Sequence, residues 1–256
     1  MSHLDLPFLE NALAPLTLSV FDSIPSTNEY LKKASLSPQL CVAEQQTAGR
    51  GRLGKTWFSP PGVNLYLSLL WPMKKTISQL EGLSLAIGLS VIHTLTNLGI
   101  KRDIKIKWPN DLYWQEKKLA GILIETNTEL AEKNNVVVGL GLNVNMLAQD
   151  HAPPSLPWVS LKQILGHTLD RNCLLVSLIK QFIPDLQRFE EQGFSDFLAQ
   201  WPRWDYLYHK KIKMEIANKS IRGIAQGVNE KGHLIIQTEA NTLLTFSSGK
   251  VSLLKP

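Results

Sequence analysis

Cys41 and Cys173 are the only cysteines in 256 residues. Two so far apart form neither a disulfide framework nor a zinc ligand set, and they fit a reducing cytoplasm. Long apolar runs are missing too. The longest nearly apolar stretch, Asn64 to Trp71, falls far short of the roughly 20 residues that a spanning helix needs, so no membrane partner is expected. The N-terminal MSHLDLPFLENAL lacks a basic segment followed by an apolar block, so no export signal is read there. There is no internal repeat and no low-complexity tract. Neither sign of charge dominates. The 27 Lys and Arg against 22 Asp and Glu leave +5. That excess suits nucleic acid, a phosphorylated small molecule, an acidic protein partner, or simply a lysine-rich solvated surface.

What is present is a folded chain. Hydrophobic residues make up 44% and charged residues 19%, enough apolar material for a core and too little charge for a disordered protein. At roughly 150 residues per domain, the length suits one large domain and one small one. Residues 16–21 and 40–43 read as strands around a short helix capped by Ser26 or Thr27. Residues 45–62, with four glycines and two prolines, form a long loop of the kind that usually carries function. Residues 63–71 read as the next strand. Apolar residues from Ile77 to Leu98 at three- and four-residue spacing predict one amphipathic helix stopped by Gly99. Residues 104–107 form a strand, 112–114 and 119–125 a hairpin, and 135–143 another strand. Residues 146–159, rich in proline, read as a mobile loop able to act as a lid. Ser160 caps a short helix, and Asn172 begins a longer one that Pro184 should kink or interrupt. From about Lys210, short strands between turn residues read as a small β-barrel of about 50 residues.

Four motifs carry polar chemistry, and each alone is ambiguous. Gly49-Arg50-Gly51-Arg52-Leu53-Gly54-Lys55 offers exposed amides and cations to phosphate oxygens, or serves as a nucleic-acid arm. Lys107-Trp108-Pro109-Asn110-Asp111-Leu112 ends a strand in a polar pair, which an Asx turn would also explain. Lys118-Leu119-Ala120-Gly121-Ile122-Leu123 brings a lysine into an apolar strand, where a surface lysine is the plain alternative. Gly139-Leu140-Gly141-Leu142-Asn143 suggests either close approach of a ligand or a bulge.

In this order, and with Ser26-Thr27-Asn28 and Gln46 before them, the motifs closely resemble the biotin–protein ligase family (biotin–[acetyl-CoA-carboxylase] ligase). The resemblance runs from about residue 20 to the C-terminus. It implies an α+β fold: a mixed β-sheet with helices packed on it, a class II synthetase-like catalytic domain over 1–207, and a C-terminal SH3-like β-barrel over 208–256. It also implies the activity. Biotin and ATP give biotinyl-5′-AMP and pyrophosphate, and biotin then passes to one lysine of a biotin carboxyl carrier protein of acetyl-CoA carboxylase. The related lipoate ligases and octanoyl transferases share the architecture, but the GRGR and KWPNDL pair favours biotin.

The resemblance likewise implies the site. Ser26, Thr27, Asn28 and Gln46 would hold the ureido head of biotin, with Gly49, Gly121 and Gly139 leaving room for it. Arg50 and Arg52 would hold carboxylate and phosphates, and Lys118 would touch the biotin carboxylate and the α-phosphate together, so these three are the expected catalytic cations. Lys55, Lys107 and Asn110 would also serve the phosphates. Trp57 would stack on adenine and Asn143 would hydrogen-bond it. Mg²⁺ would arrive with ATP, with Asp111 as its one candidate protein ligand. Trp158 is either a lid anchor or a core residue. Leu53 stands where many relatives carry another basic residue. Bifunctional relatives carry an N-terminal DNA-reading domain of some 60 residues, whereas the 25 residues before Ser26 are too few for three packed helices, so no DNA partner is expected. A homodimer through sheet edges stays open.

Overall fold

The computed structural model describes residues 3–34, 38–100, 102–127, 134–147, 157–216 and 219–254. Helix α1 (Leu6–Leu13) is capped by Asp5 and buries Leu9 and Leu13. Strand β1 (Thr17–Ile24), helix α2 (Thr27–Lys32), β2 (Gln39–Gln46) and β3 (Leu65–Met73) follow. Helix α3 (Leu83–Asn97) leads into β4 (Ile104–Lys107), β5 (Asp111–Trp114), β6 (Lys117–Asn127) and β7 (Asn134–Leu142). Helices α4 (Leu161–Leu165) and α5 (Arg171–Gln192) and the short helices α6 (Ser195–Leu198) and α7 (Trp201–Trp204) complete the first unit, and β8 (Lys211–Ile216), β9 (Lys219–Val228), β10 (Leu234–Thr238), β11 (Leu243–Phe246) and β12 (Lys250–Leu253) make the second. Among the described residues, no helix is long and apolar enough to cross a membrane.

The first sheet has the order β1-β2-β3-β7-β6-β5-β4. Only β1 and β2 pair in parallel, so the sheet is mixed, as expected. Side chains alternate between its faces. Leu65, Leu67 and Leu69 of β3, Ala120 and Ile122 of β6, and Val136, Val138 and Leu140 of β7 join α3 and α5 in the main core. The intervening residues face α2, where Leu31, Cys41, Leu70 and Val137 form a second, smaller cluster. That second face is covered only in part, and the cavity described below opens on it. The C-terminal strands form a five-stranded antiparallel sheet, β11-β10-β9-β8-β12.

Three details depart from the sequence expectations. The helix over 77–98 is divided: a 3₁₀ turn at Ile77–Leu80 precedes α3, with Gly82 between them at φ +82°. A Cβ there would stand 2.6 Å from Phe194 Cβ, so packing fixes the break. Pro184 lies inside α5 without interrupting it. The lost hydrogen bond is outweighed because Phe182, Leu186 and Phe189 on either side are fully buried. Helix α1 had no counterpart in the sequence reading, since eight residues show too little periodicity.

One buried ion pair ties distant parts together. Arg171, at the start of α5, donates to both oxygens of Glu44 on β2, at 2.6 and 3.1 Å, and to Asn64 O. The backbone N–H of Leu4 donates to the same carboxylate at 2.6 Å. Arg171 and Glu44 are 1% and 4% exposed, so removing either partner strands a buried charge. Arg171→Met is expected to lower unfolding free energy by about 3–5 kcal/mol. Pairing it with Glu44→Gln should recover part of that loss in denaturant titration; equal losses in the single and double variants would refute the coupling.

Candidate active site

The cavity floor follows from strand register. Gly121 of β6 lies opposite Gly141 of β7, and Leu123 lies opposite Gly139. On the far side of β7, Ser68 of β3 lies opposite Gly139. Three glycines thus share the face turned toward α2. A Cβ at Gly141 would stand 2.3 Å from the Trp57 indole, and one at Gly121 would stand 2.9 Å from it. A Cβ at Gly139 would fall 2.2 Å from Asn28 Oδ1. The glycines therefore admit Trp57 and Asn28, two expected site residues, rather than opening on empty space.

Asn28, Thr27 and Gln46 are linked at one end of this floor. Ser26 caps α2 by accepting from Glu29 N–H. The Thr27 N–H and hydroxyl donate to Gln46 Oε1 at 3.0 and 3.1 Å. Gln46 Nε2 donates to Ser59 Oγ at 3.2 Å. The Ser68 hydroxyl donates to Thr27 Oγ1 at 2.7 Å and also touches Asn28 Oδ1. Asn28 Nδ2 donates to Glu125 at 2.9 Å. The chain of donors and acceptors is fixed by α2, β2, β3, β6 and Ser59 of the loop before any ligand arrives, and it suits a urea-like group offering both N–H and C=O. Ser68 and Glu125 escaped the sequence reading. A single serine inside the apolar strand LYLSLLW was the available signal for Ser68; Glu125 gave none.

Cations gather at the other end. Lys118 Nζ lies 2.7 Å from Asp111 Oδ1 and 5.1 Å from the centre of a Trp57 ring. Arg52 donates to Asn110 Oδ1 at 3.2 Å, and Asn110 Nδ2 donates to Ile122 O at 2.7 Å, which anchors the 108–110 turn to β6. Trp108 Nε1 donates to Gly232 O of the second unit at 2.9 Å, fixing the same turn from behind. Burial pulls the pKa of Lys107 below the usual lysine value. Asp111 opposes that shift, and the charges of Lys118 and Lys55 add to it. Arg52 is likewise lowered by burial against the pull of Asp111. Arg52, Lys55, Lys107 and Lys118 thus line this end of the cavity with Asp111. An entering anion would relieve both the burial and the repulsion.

The cavity has a volume of about 350 Å³ and brings together Ser26, Thr27, Asn28 and Gln46, both loop arginines, Lys55 and Trp57, the Lys107–Asp111 turn, and Lys118, Gly121 and Gly139. Gly249 and residues 250–252 of β12 also border it. Two expected residues stand outside this lining. Gly49 is packed against its own loop: a Cβ there would stand 2.5 Å from Trp57 O and 2.7 Å from Ser59 Oγ. Asn143 is 5% exposed, and its amide donates to Val159 O at 3.1 Å. Arg50 lines the cavity, but its guanidinium pairs with Glu29 and approaches Glu125 at 3.8 Å. Leu53 is 78% exposed, so no buried charge is missing at that position. Of the expected lid, 148–156 lie outside the described residues, while Trp158 is half-buried and pairs with Lys118 through a parallel bridge.

Asp111 is the one expected metal ligand. Among the described residues, no group of three or more His, Cys, Asp or Glu could hold a metal ion. Asp111 is moreover ion-paired with Lys118. The residues do not fit a protein-held Mg²⁺.

Gly141→Ala tests the floor. The added methyl would collide with the Trp57 indole, so the ring must move away from Lys118. The expected outcome is a changed Trp fluorescence spectrum without loss of cooperative unfolding; an unchanged spectrum would place the ring elsewhere.

Comparison with known proteins agrees with this geometry. Residues 20–143 match the Biotin/lipoate A/B protein ligase family, and residues 210–254 match the Biotin protein ligase C terminal domain. The Bifunctional ligase/repressor BirA of Escherichia coli is 37% identical over 93% of this chain and 74% of its own. A Biotin--[acetyl-CoA-carboxylase] ligase of Paracoccus denitrificans is 30% identical over 84% of this chain and 92% of its own. The biotin protein ligase of Aquifex aeolicus, solved in complex with biotin and ATP, superposes with a TM-score of 0.79 at 32% identity, covering 94% of this chain and 99% of that one. With the motifs, the mixed sheet, the C-terminal strands and these relatives in agreement, the chain belongs to the biotin protein ligase family.

Proposed function

We propose that this protein activates biotin with ATP and transfers it to a lysine of a biotin carboxyl carrier domain. The observation that carries the reading is the pairing of two unlike ends in one cavity. A neutral hydrogen-bonding chain suits the biotin head, and a cation cluster suits a carboxylate beside a phosphate.

In the first step, a biotin carboxylate oxygen bonds to the α-phosphorus of ATP, and the bond to pyrophosphate breaks. Carboxylate and phosphate repel: two unit charges about 4 Å apart cost about 4 kcal/mol at an effective dielectric of 20. Lys118, on β6 between the polar chain and the 107–111 turn, is our choice to offset this by touching both. Arg52, Lys55 and Lys107 share the remaining phosphate charge, and Asn110, held by Arg52 and Ile122 O, presents its turn to the α-phosphate. In the second step, a neutral lysine amine of the carrier attacks the acyl carbon. AMP leaves, and the amine loses a proton. Mg²⁺ is read as accompanying the ATP phosphates and water, consistent with its usual reluctance to shed its own waters.

We assign Ser26, Thr27, Asn28 and Gln46 to the biotin head, with Gly121 and Gly139 in the floor beneath it. Trp57 is read as the aromatic surface for adenine, and Asn143 as a fastener of 157–159 beside Lys118 rather than a base contact. Division of the chain at 207/208 is supported by the second sheet beginning at Lys211. The acceptor is proposed as an acidic carrier domain, which the net charge of +5 would attract.

Purified protein with ATP, Mg²⁺, biotin and an acceptor domain should give a streptavidin-reactive product. Transfer of lipoyl or octanoyl groups instead would overturn the reading. Lys118→Ala should slow single-turnover formation of biotinyl-5′-AMP by about a hundredfold or more while the protein unfolds normally. Undiminished adenylation by that variant would remove Lys118 from the centre of the reaction.

A further inference from the structure

Arg50 and Arg52 are two residues apart on the glycine-rich loop, yet they take hold of different elements. Arg52 reaches the 108–110 turn through Asn110. Arg50 turns to Glu29 on α2, with Glu125 of β6 at 3.8 Å from its second nitrogen. Lys32 lies between the same two carboxylates, 3.2 Å from Glu29 and 3.3 Å from Glu125. Two bases thus balance two acids. Glu125 is only 17% exposed, and it also accepts from Asn28 at the head end of the cavity. Were Arg50 to swing onto a phosphate, this group would be left one negative charge in excess, partly out of water, where such charge is costly. The phosphate end meanwhile already has four other cations.

We propose that Arg50, Glu29 and Glu125 form a clasp that holds the glycine-rich loop over the biotin end of the cavity, with Arg50 a positioning residue that sets how fast biotin leaves. The inference rests on the function proposed above. The loop is thus pinned twice, by Arg50 to α2 and β6 and by Arg52 to the 108–110 turn. From between the two pins, Gly51 N–H donates to Lys55 O at 2.6 Å, closing the backbone around Arg52. Opening the biotin end requires the Arg50 pin to part. Glu29 appears in no relay of the polar chain through its side chain, so it can be altered without touching the biotin head contacts. Partly exposed pairs of this kind change equilibria by a few-fold, which sets the size of the effect.

The test measures biotin dissociation by stopped-flow chase, together with the KM for ATP in adenylate formation. Glu29→Gln and Arg50→Gln should each speed biotin release about three- to fivefold. The double variant should release no faster than the quicker single one, because both break the same contact. Glu29→Gln should leave the KM for ATP within twofold. High ionic strength should speed release from the native protein and have little effect on the double variant. Unchanged release in Glu29→Gln, additive effects in the double variant, or a raised KM for ATP in Arg50→Gln that Glu29→Gln does not share would each overturn the clasp while leaving the ligase reading intact. A native protein that binds no biotin would overturn the ligase reading itself.

Discussion

The absence of side chains on one small area of sheet governs the rest of the site. Gly121 and Gly141 face each other across β6 and β7, and the Trp57 indole lies where their Cβ atoms would be. Because the ring sits so low, the loop bearing it must come down with it, and Trp57 N–H donates to Gly49 O at 2.9 Å as the loop turns. Gly49 in turn has no room for a side chain, since Trp57 O and Ser59 occupy that space. Lys118 then finds both a ring face and a carboxylate within reach. Close packing thus passes from two strands to a loop, and from the loop to a lysine.

The electrostatics show a site prepared for something it does not itself supply. The cations around Asp111 exceed it in number, and burial already pulls Lys107 and Arg52 toward losing charge. Such crowding is unfavourable in the free protein and is repaired by an anion, which amounts to ligand binding paid in advance by the fold. The neutral end works differently: its polar side chains are partnered among α2, β2, β3, β6 and Ser59 of the loop, so selectivity there would come from fixed directions rather than from net charge.

Most of the architecture could be read from periodicity. The nearly apolar run over 63–71 and the β-rich segment over 135–143 announced β3 and β7, and the change of character near Lys210 announced the second sheet. What could not be read was anything depending on contacts remote in sequence. The break at Gly82 depends on Phe194, and α5 survives Pro184 through its buried neighbours. Within the site, residue types and order located Lys118, Asp111, Gln46 and the Ser26–Asn28 segment in one cavity. They did not reveal that Arg50 and Arg52 part company, because direction along a glycine-rich loop is set by partners such as Glu29 and Asn110 that no local pattern encodes. Gly49 and Asn143 carry a similar lesson. Both stand near cavity-lining residues in sequence, and both have side-chain positions turned into the protein.

The Arg171–Glu44 pair bears on the order in which the chain can acquire its structure. The partners are 127 residues apart, and Leu4 joins them from the N-terminal end. Until α5 exists, β2 carries a carboxylate bound for the interior without its buried arginine partner, with only the largely exposed His3 nearby, so β2 cannot settle into its final burial beside β1. A chain emerging from the ribosome would have the whole Gly-rich loop and all seven strands of the first sheet before that counter-charge arrives. Contacts of such span are formed late and slow the passage to the native state. The active-site face of the sheet is therefore completed only when a helix on its opposite face is in place.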